Sequence, residues 1–177
     1  MKKLLKKGGF TLVEMLAALM ILVLLVVGMD AGISAANLAY TRSVFESNSA
    51  ALAGILNTAM GDILRYSEDV RVPTAQEAPQ DPPAVVFTNY DYGVRNGYFS
   101  IPDSQPDAPA TLQIRNLQND RAAELINTGA YPDLQISDFQ ISYDPAGRYF
   151  SISYQISHVR HSSWTRDISC AVRLLNP

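Results

Sequence analysis

The residue in this chain best placed to do chemistry is a carboxylate in an unlikely position. Glu14 is the only charge between Lys7 and Asp30, inside the run GGFTLVEMLAALMILVLLVVGM. An ionised side chain within a membrane segment costs roughly 2.5–3.5 kcal/mol near the centre and less near the end, so it needs a use. One use is local: Thr11-x-x-Glu14 has the spacing of a capping box, in which hydroxyl and carboxylate satisfy the first free N–H groups of a helix. The other needs a partner. A cut between Gly9 and Phe10 creates an α-ammonium at Phe10, four residues from Glu14. In a bundle of parallel helices, Glu14 of one subunit then neutralises the Phe10 ammonium of its neighbour, because neither charge is otherwise compensated in lipid.

Elsewhere the reactive residue types are sparse. His158-Val159-Arg160-His161 places two imidazoles three apart, but without the His-Glu-x-x-His pattern that would hold zinc. Asp103 and Asp107 lie in a Pro-rich loop, an oxygen-rich pair that by itself reads as solvated. No glycine-rich phosphate loop is present, and the single cysteine, Cys170, rules out an intrachain disulfide and reads as a small hydrophobe. No metal, cofactor or enzymatic activity is expected. The stretch SHVRHSSWTR, residues 157–166, offers Arg160, His161, Trp164 and Arg166 as a contact for nucleic acid or another partner, with arginines for phosphate and an aromatic for stacking. The competing reading has Trp164 open the last strand and pack inward, with Arg166 solvated.

The elements that carry these residues follow from hydropathy and periodicity. Phe10 to Met29 spans twenty residues, about 30 Å as a helix, the thickness of a bilayer's hydrocarbon core. Lys2, Lys3, Lys6 and Lys7 precede it and Asp30 follows, which orients the N-terminus toward the cytoplasm and the rest outward. A secretory signal shares this pattern, and Ser34-Ala35-Ala36 offers it a cleavage site. The 177 residues carry a net charge of −3; residues 10–177 hold ten Arg against 17 acids, a balance of −7. Such an acidic body argues against broad nucleic-acid binding.

No proline interrupts residues 30–66, where Phe45, Leu52, Leu56, Ala59 and Ile63 form one helical face. As one helix, residues 10–66 would extend roughly 85 Å. Gly28 and Gly32 are a candidate weak point and a small-xxx-small packing pair. Prolines at 73, 79, 82 and 83 make residues 73–84 a loop. Strands are expected over 84–88, 98–101 after an Asn96-Gly97 turn, and 111–115, with a short helix at 120–127. The clearest strands come last, where Phe139, Ile141 and Tyr143 alternate, Asp144-Pro145-Ala146-Gly147 turns, and Phe150, Ile152, Tyr154 and Ile156 return. A third strand carries Trp164, Ile168, Cys170, Val172 and Leu174 on one face. The fold class is α+β, with a long N-terminal helix, its first half transmembrane, packed on an antiparallel sheet.

Lys6-Lys7-Gly8-Gly9 followed by Phe10-Thr11-Leu12-Val13-Glu14-Met15 resembles the prepilin signal of type IV pilins, type II secretion pseudopilins and competence pseudopilins. The resemblance covers about the first thirty residues. It implies that a membrane prepilin peptidase cuts after Gly9 and methylates Phe10, and that Glu14 sets subunit registry. It also implies partners: other pilin-like subunits and the assembly platform of a pilus or secretion system. The expected division is a leader at 1–9, a transmembrane and assembly helix at 10–29, its continuation at 30–72 and a β-rich domain at 73–177. The expected location is the cytoplasmic membrane before assembly and an extracytoplasmic filament after it. Family members commonly carry a proline past the middle of the apolar run, and this chain has none there. A membrane-anchored or secreted binding domain that never polymerises is the alternative.

Overall fold

The computed structural model describes residues 11–74, 83–101, 112–119, 121–126 and 128–175. A long helix, α1 (Leu12–Arg65), precedes two antiparallel sheets, giving the α+β class expected. The chain divides into two compact units, Met1–Val44 and Phe45–Pro177. In the first, the helix is exposed on every side through residue 40, and α1 is the one described helix long and apolar enough to cross a membrane. An all-round apolar helix is what lipid requires, since backbone groups must be satisfied within the segment.

In the second unit α1 becomes one-sided. Phe45, Ser49, Leu52, Ala53, Leu56, Met60, Ile63 and Leu64 are buried at spacings of three and four. Four of the five residues expected on this face are there; Ala59 is half-buried at its margin, and Met60 takes the central place. The face is covered by β6 (Leu134–Asp144), β7 (Tyr149–His158) and β8 (His161–Arg173), ordered β6-β7-β8. Alternation puts Ile152, Tyr154 and Ile156 of β7 inward among Leu134, Ile136, Ile141, Phe150 and Val172 in the same core. Tyr154 ties sheet to helix, its hydroxyl donating to Asn57 Oδ1 at 3.0 Å and lying 3.4 Å from the Ala53 carbonyl.

The other sheet runs β1-β2-β3-β4-β5, formed by Glu68–Arg71, Val86–Asn89, Val94–Ser100, Gln113–Asn116 and Ala122–Glu124. The Phe87 and Phe99 rings pack, tilted, at 5.1 Å, and Phe99 meets Phe139 of β6 at 6.2 Å, joining this sheet's core to that of β6-β7-β8. Two expectations are corrected here. Asn96-Gly97 does not turn the chain. It lies inside β3, where Phe87↔Gly97 and Asn89↔Val94 leave one extra residue on β3, a bulge that Asn96 accommodates with φ 47°. A Cβ on Gly97 would fall 2.2 Å from Val94 Cγ1. The turn is instead at residues 90–93, ending on Gly93 with φ 65°. The short helix expected at 120–127 is replaced by β5, because Asn116 Oδ1 accepts from the Gln118 and Asn119 amides and folds the chain back onto β4. β1, with the polar sequence EDVR, has no alternation to announce it. Residues 75–82 of the proline-rich loop lie outside the described residues.

The C-terminal end of α1 is closed by distant parts of the chain. Ser67 Oγ and Asn89 Nδ2 donate to the Ile63 carbonyl at 2.8 and 2.7 Å, the Ser67 amide to Leu64, and the Leu175 amide to Arg65 at 2.8 Å. Helix-end carbonyls left buried without donors would be costly. Asn89 is 1% exposed, and its Oδ1 also accepts from the Asp91 and Tyr92 amides, so one side chain fixes both the helix end and the β2–β3 turn. Asn89→Ala is expected to destabilise the protein by roughly 1–3 kcal/mol, read as a lowered urea midpoint of the detergent-solubilised chain. An unchanged midpoint would show that these carbonyls find other donors.

Candidate functional site

The processing and assembly residues sit at the start of α1. Gly9 and Phe10 lie outside the described residues. Thr11 is the cap residue: its amide and its hydroxyl both donate to Glu14 Oε2, at 2.9 and 3.0 Å, and the Glu14 amide donates back to Thr11 Oγ1 at 3.3 Å. This is the reciprocal capping box that the spacing predicts. It employs one carboxylate oxygen. Among the described residues, Oε1 has no donor, so the side chain can cap its own helix and still accept from a second molecule. Gly28 and Gly32 are exposed within a helix that runs through both without a break, and a Cβ on either would meet nothing within 4 Å. Nothing in the described chain requires these glycines to be small.

At the other end of the sequence, SHVRHSSWTR is mostly strand. β7 reaches His158 and β8 begins at His161, so Val159 and Arg160 alone form the turn, with His158 and His161 paired across it. Trp164 and Arg166 belong to β8. The Trp164 ring stacks on His161 at 4.2 Å and packs against Phe45 at 6.0 Å and the edge of His158 at 5.5 Å. Arg166 is opposite Ile156, on the inward-facing side, and its guanidinium reaches toward the Glu46 carbonyl of α1 at 3.4 Å. Strand register therefore distributes the residues: Arg160 is exposed in the turn, Trp164 is half-buried against Phe45 and His161, and Arg166, also exposed, leans toward the helix. Cys170 is half-buried on the inward face, and burial pushes its thiol up. Asp103 and Asp107 lie outside the described residues, among which no group of three or more metal-ligating side chains converges.

A second feature was missed in the sequence. A groove of about 810 Å³ lies in the Phe45–Pro177 unit between α1 and the β3-β4-β5 edge. Its helical wall is Ala51, Gly54, Ile55, Thr58, Ala59 and Asp62, a three-and-four stripe adjacent to the core face. That periodicity was readable, but small and mixed residues do not stand out beside Leu and Phe.

Residues 4–29 match the family model described as the prokaryotic N-terminal methylation motif. The chain carries a prepilin-type signal. Such a signal is that of type IV pilins and pseudopilins, a structural class whose members are processed by prepilin peptidase and assemble with other pilins; in this chain the match covers residues 4–29. Together with the apolar N-terminal helix it fits membrane anchoring. No curated protein and no solved structure matches the chain.

The hairpin yields a pH dependence. His158 is 8% exposed, and its Nδ1 accepts from the Arg160 amide at 3.0 Å, a bond that requires that nitrogen unprotonated. Burial first, then the neighbouring His161, push the imidazole below its ordinary value; Asp133 opposes and Arg160 adds to the depression. The folded state thus favours neutral His158, while the unfolded chain takes up a proton near pH 6.5. The associated stability is fully present above about pH 6.5 and is lost as pH falls through the lower folded-state value. The melting temperature of the detergent-solubilised chain should fall on acidification below about pH 6.5, and His158→Gln should flatten that fall. Identical profiles for the two proteins would exclude His158 as its source.

Proposed function

We propose that this chain is a structural subunit of a type IV pilus-like filament serving secretion, DNA uptake, adhesion or motility. The supporting observation is the capping box at the start of α1, in which Glu14 spends one oxygen on its own helix and keeps the other available, directly beside the proposed new terminus. On this reading residues 1–9 are the leader, residues 10–29 the membrane and assembly segment, residues 30–72 the stretch that continues into the domain, helical only to Arg65 and then strand β1 over Glu68–Arg71, and residues 73–177 the β-rich domain. The precursor waits in the cytoplasmic membrane with its N-terminus inside. Prepilin peptidase cuts after Gly9 and methylates Phe10. The assembly platform then moves the subunit into an extracytoplasmic filament, where Glu14 faces the Phe10 ammonium of a neighbouring subunit. Gly28 and Gly32, whose smallness the described chain does not use, admit a neighbouring helix at close range.

Intact-mass analysis of membrane-extracted protein is expected to show a chain beginning at Phe10 with one added methyl. Gly9→Val should leave it uncut, because a side chain before the scissile bond obstructs the peptidase cleft. A mature form beginning near residue 37 would point to ordinary secretion, and an uncut wild-type chain to a non-polymerising anchor.

Glu14→Gln separates the two roles of the carboxylate. An amide oxygen still accepts from the Thr11 amide and hydroxyl, so helix content and processing should persist. The charge that offsets Phe10 is gone, and incorporation into filaments is expected to fall at least about tenfold, equivalent to ~1.4 kcal/mol. Unchanged incorporation would leave the capping box as the whole role of Glu14.

A further inference from the structure

The groove beside α1 has no occupant among the described residues. Ile55 and Tyr92 on its walls are 44% and 57% exposed, and Val94, Ile114 and Leu125 complete an apolar lining. Its charged lining residues are Asp62 and Glu124, and among the described residues no cation pairs with either. Two acids beside an apolar trough favour something apolar that carries a positive charge. The helical wall has the complementary shape. Ala51 to Asp62 extends about 17 Å, some three turns, and presents Gly54 and Thr58 as a small-xxx-small pair. A mid-helix glycine is less favourable than alanine, yet a Cβ built on Gly54 meets nothing within 4 Å. The fold itself therefore gains no contact relief from glycine at this position. A second backbone approaching closely would use it.

We infer that this groove docks an amphipathic helix of another protein subunit, one that lays an aliphatic ridge along Ala51–Asp62 and directs a flanking Lys or Arg to Asp62 and Glu124. A helix fits better than an extended strand, because the wall repeats every three to four residues as a helix's own anchors do. Residues 10–177 contain no lysine, so a lysine in that place comes from a different subunit or from the segment 1–7, where all four lysines of this chain lie. Only the identification of the partner as a filament subunit rests on the pilin-like reading; the docking itself needs neither cleavage nor assembly.

The test uses the full chain in nanodiscs of zwitterionic lipid and a fluorescent synthetic helix of about 14 residues, roughly 21 Å long, with a leucine ridge flanked by lysines. A second peptide replaces the lysines with glutamates. The lysine peptide should bind at least about tenfold more tightly than the glutamate peptide, beyond its signal on empty nanodiscs. Asp62→Asn/Glu124→Gln should erase that preference. Gly54→Trp, which projects an indole from the helical wall at a position where a Cβ meets nothing within 4 Å, should abolish binding while helix content and melting temperature hold. Equal binding of the two peptides, binding no stronger than to empty nanodiscs, or full binding by a folded Gly54→Trp protein would each overturn the proposal. Because unprocessed protein is used, the outcome is independent of whether Gly9 is cut.

Discussion

One helix has to satisfy two solvents, and the rest of the molecule is arranged around that demand. Through residue 40 α1 is exposed on all sides and, to Met29, apolar apart from Glu14 at its first turn, as lipid requires of a segment that must hydrogen-bond only to itself. From Phe45 it is amphipathic, with a buried face wide enough to hold Phe45, Leu52, Leu56, Met60 and Leu64. A stripe that broad cannot stay in water, and a three-stranded sheet with inward Ile, Phe and Tyr is what covers it. The helix end carries the second half of the requirement. Its last carbonyls are satisfied by Ser67, by Asn89 from β2 and by Leu175 from the chain's C-terminal end, so both sheets are tied to the same turn of helix.

How much of this was legible depends on where the information lies. The prepilin-type signal is a local pattern of charge, glycine and a spaced acid, and it reads directly from Lys6 to Met15. The β6-β7-β8 meander was legible because one face is buried and the other solvated, so Phe150, Ile152, Tyr154 and Ile156 alternate with polar residues. The β1-β5 sheet was not. Its strands are three to seven residues long, β2 is buried throughout, and β1 and β5 carry no alternation. Asn96-Gly97 shows the same limit. The dipeptide favours positive φ, which serves a turn and a bulge equally, and only the pairing of β3 with both β2 and β4 decides between them.

The hairpin residues illustrate how register outranks composition. Arg160, His161, Trp164 and Arg166 look like one basic-aromatic cluster in the sequence. On the sheet they are distributed by alternation and by a two-residue turn: the indole is taken by His161 and Phe45, and the second guanidinium by a helix carbonyl. The cluster's visible consequence is structural, an aromatic plug around Phe45 where the packed part of α1 begins.

Charge links the N-terminal signal to the groove. All four lysines lie within residues 1–7, so on the proposed cleavage the balance moves from −3 to −7 and the remaining cationic side chains are ten arginines, with or without protonated histidine. Several of those arginines are already committed within the domain, Arg166 to Glu46 and Arg95 over the Tyr90 ring among them. Identical subunits of that charge repel one another when packed side by side, and salt screens the repulsion only over distances beyond the Debye length. In the proposed filament the Phe10 ammonium would offset one Glu14 per neighbour in the bilayer but nothing on the domain surface. A subunit of this kind is better accommodated next to a more basic neighbour than next to its own copy, and Asp62 and Glu124, without a cationic partner among the described residues at the edge of an apolar groove, are where such a neighbour would find both charge and apolar surface to cover.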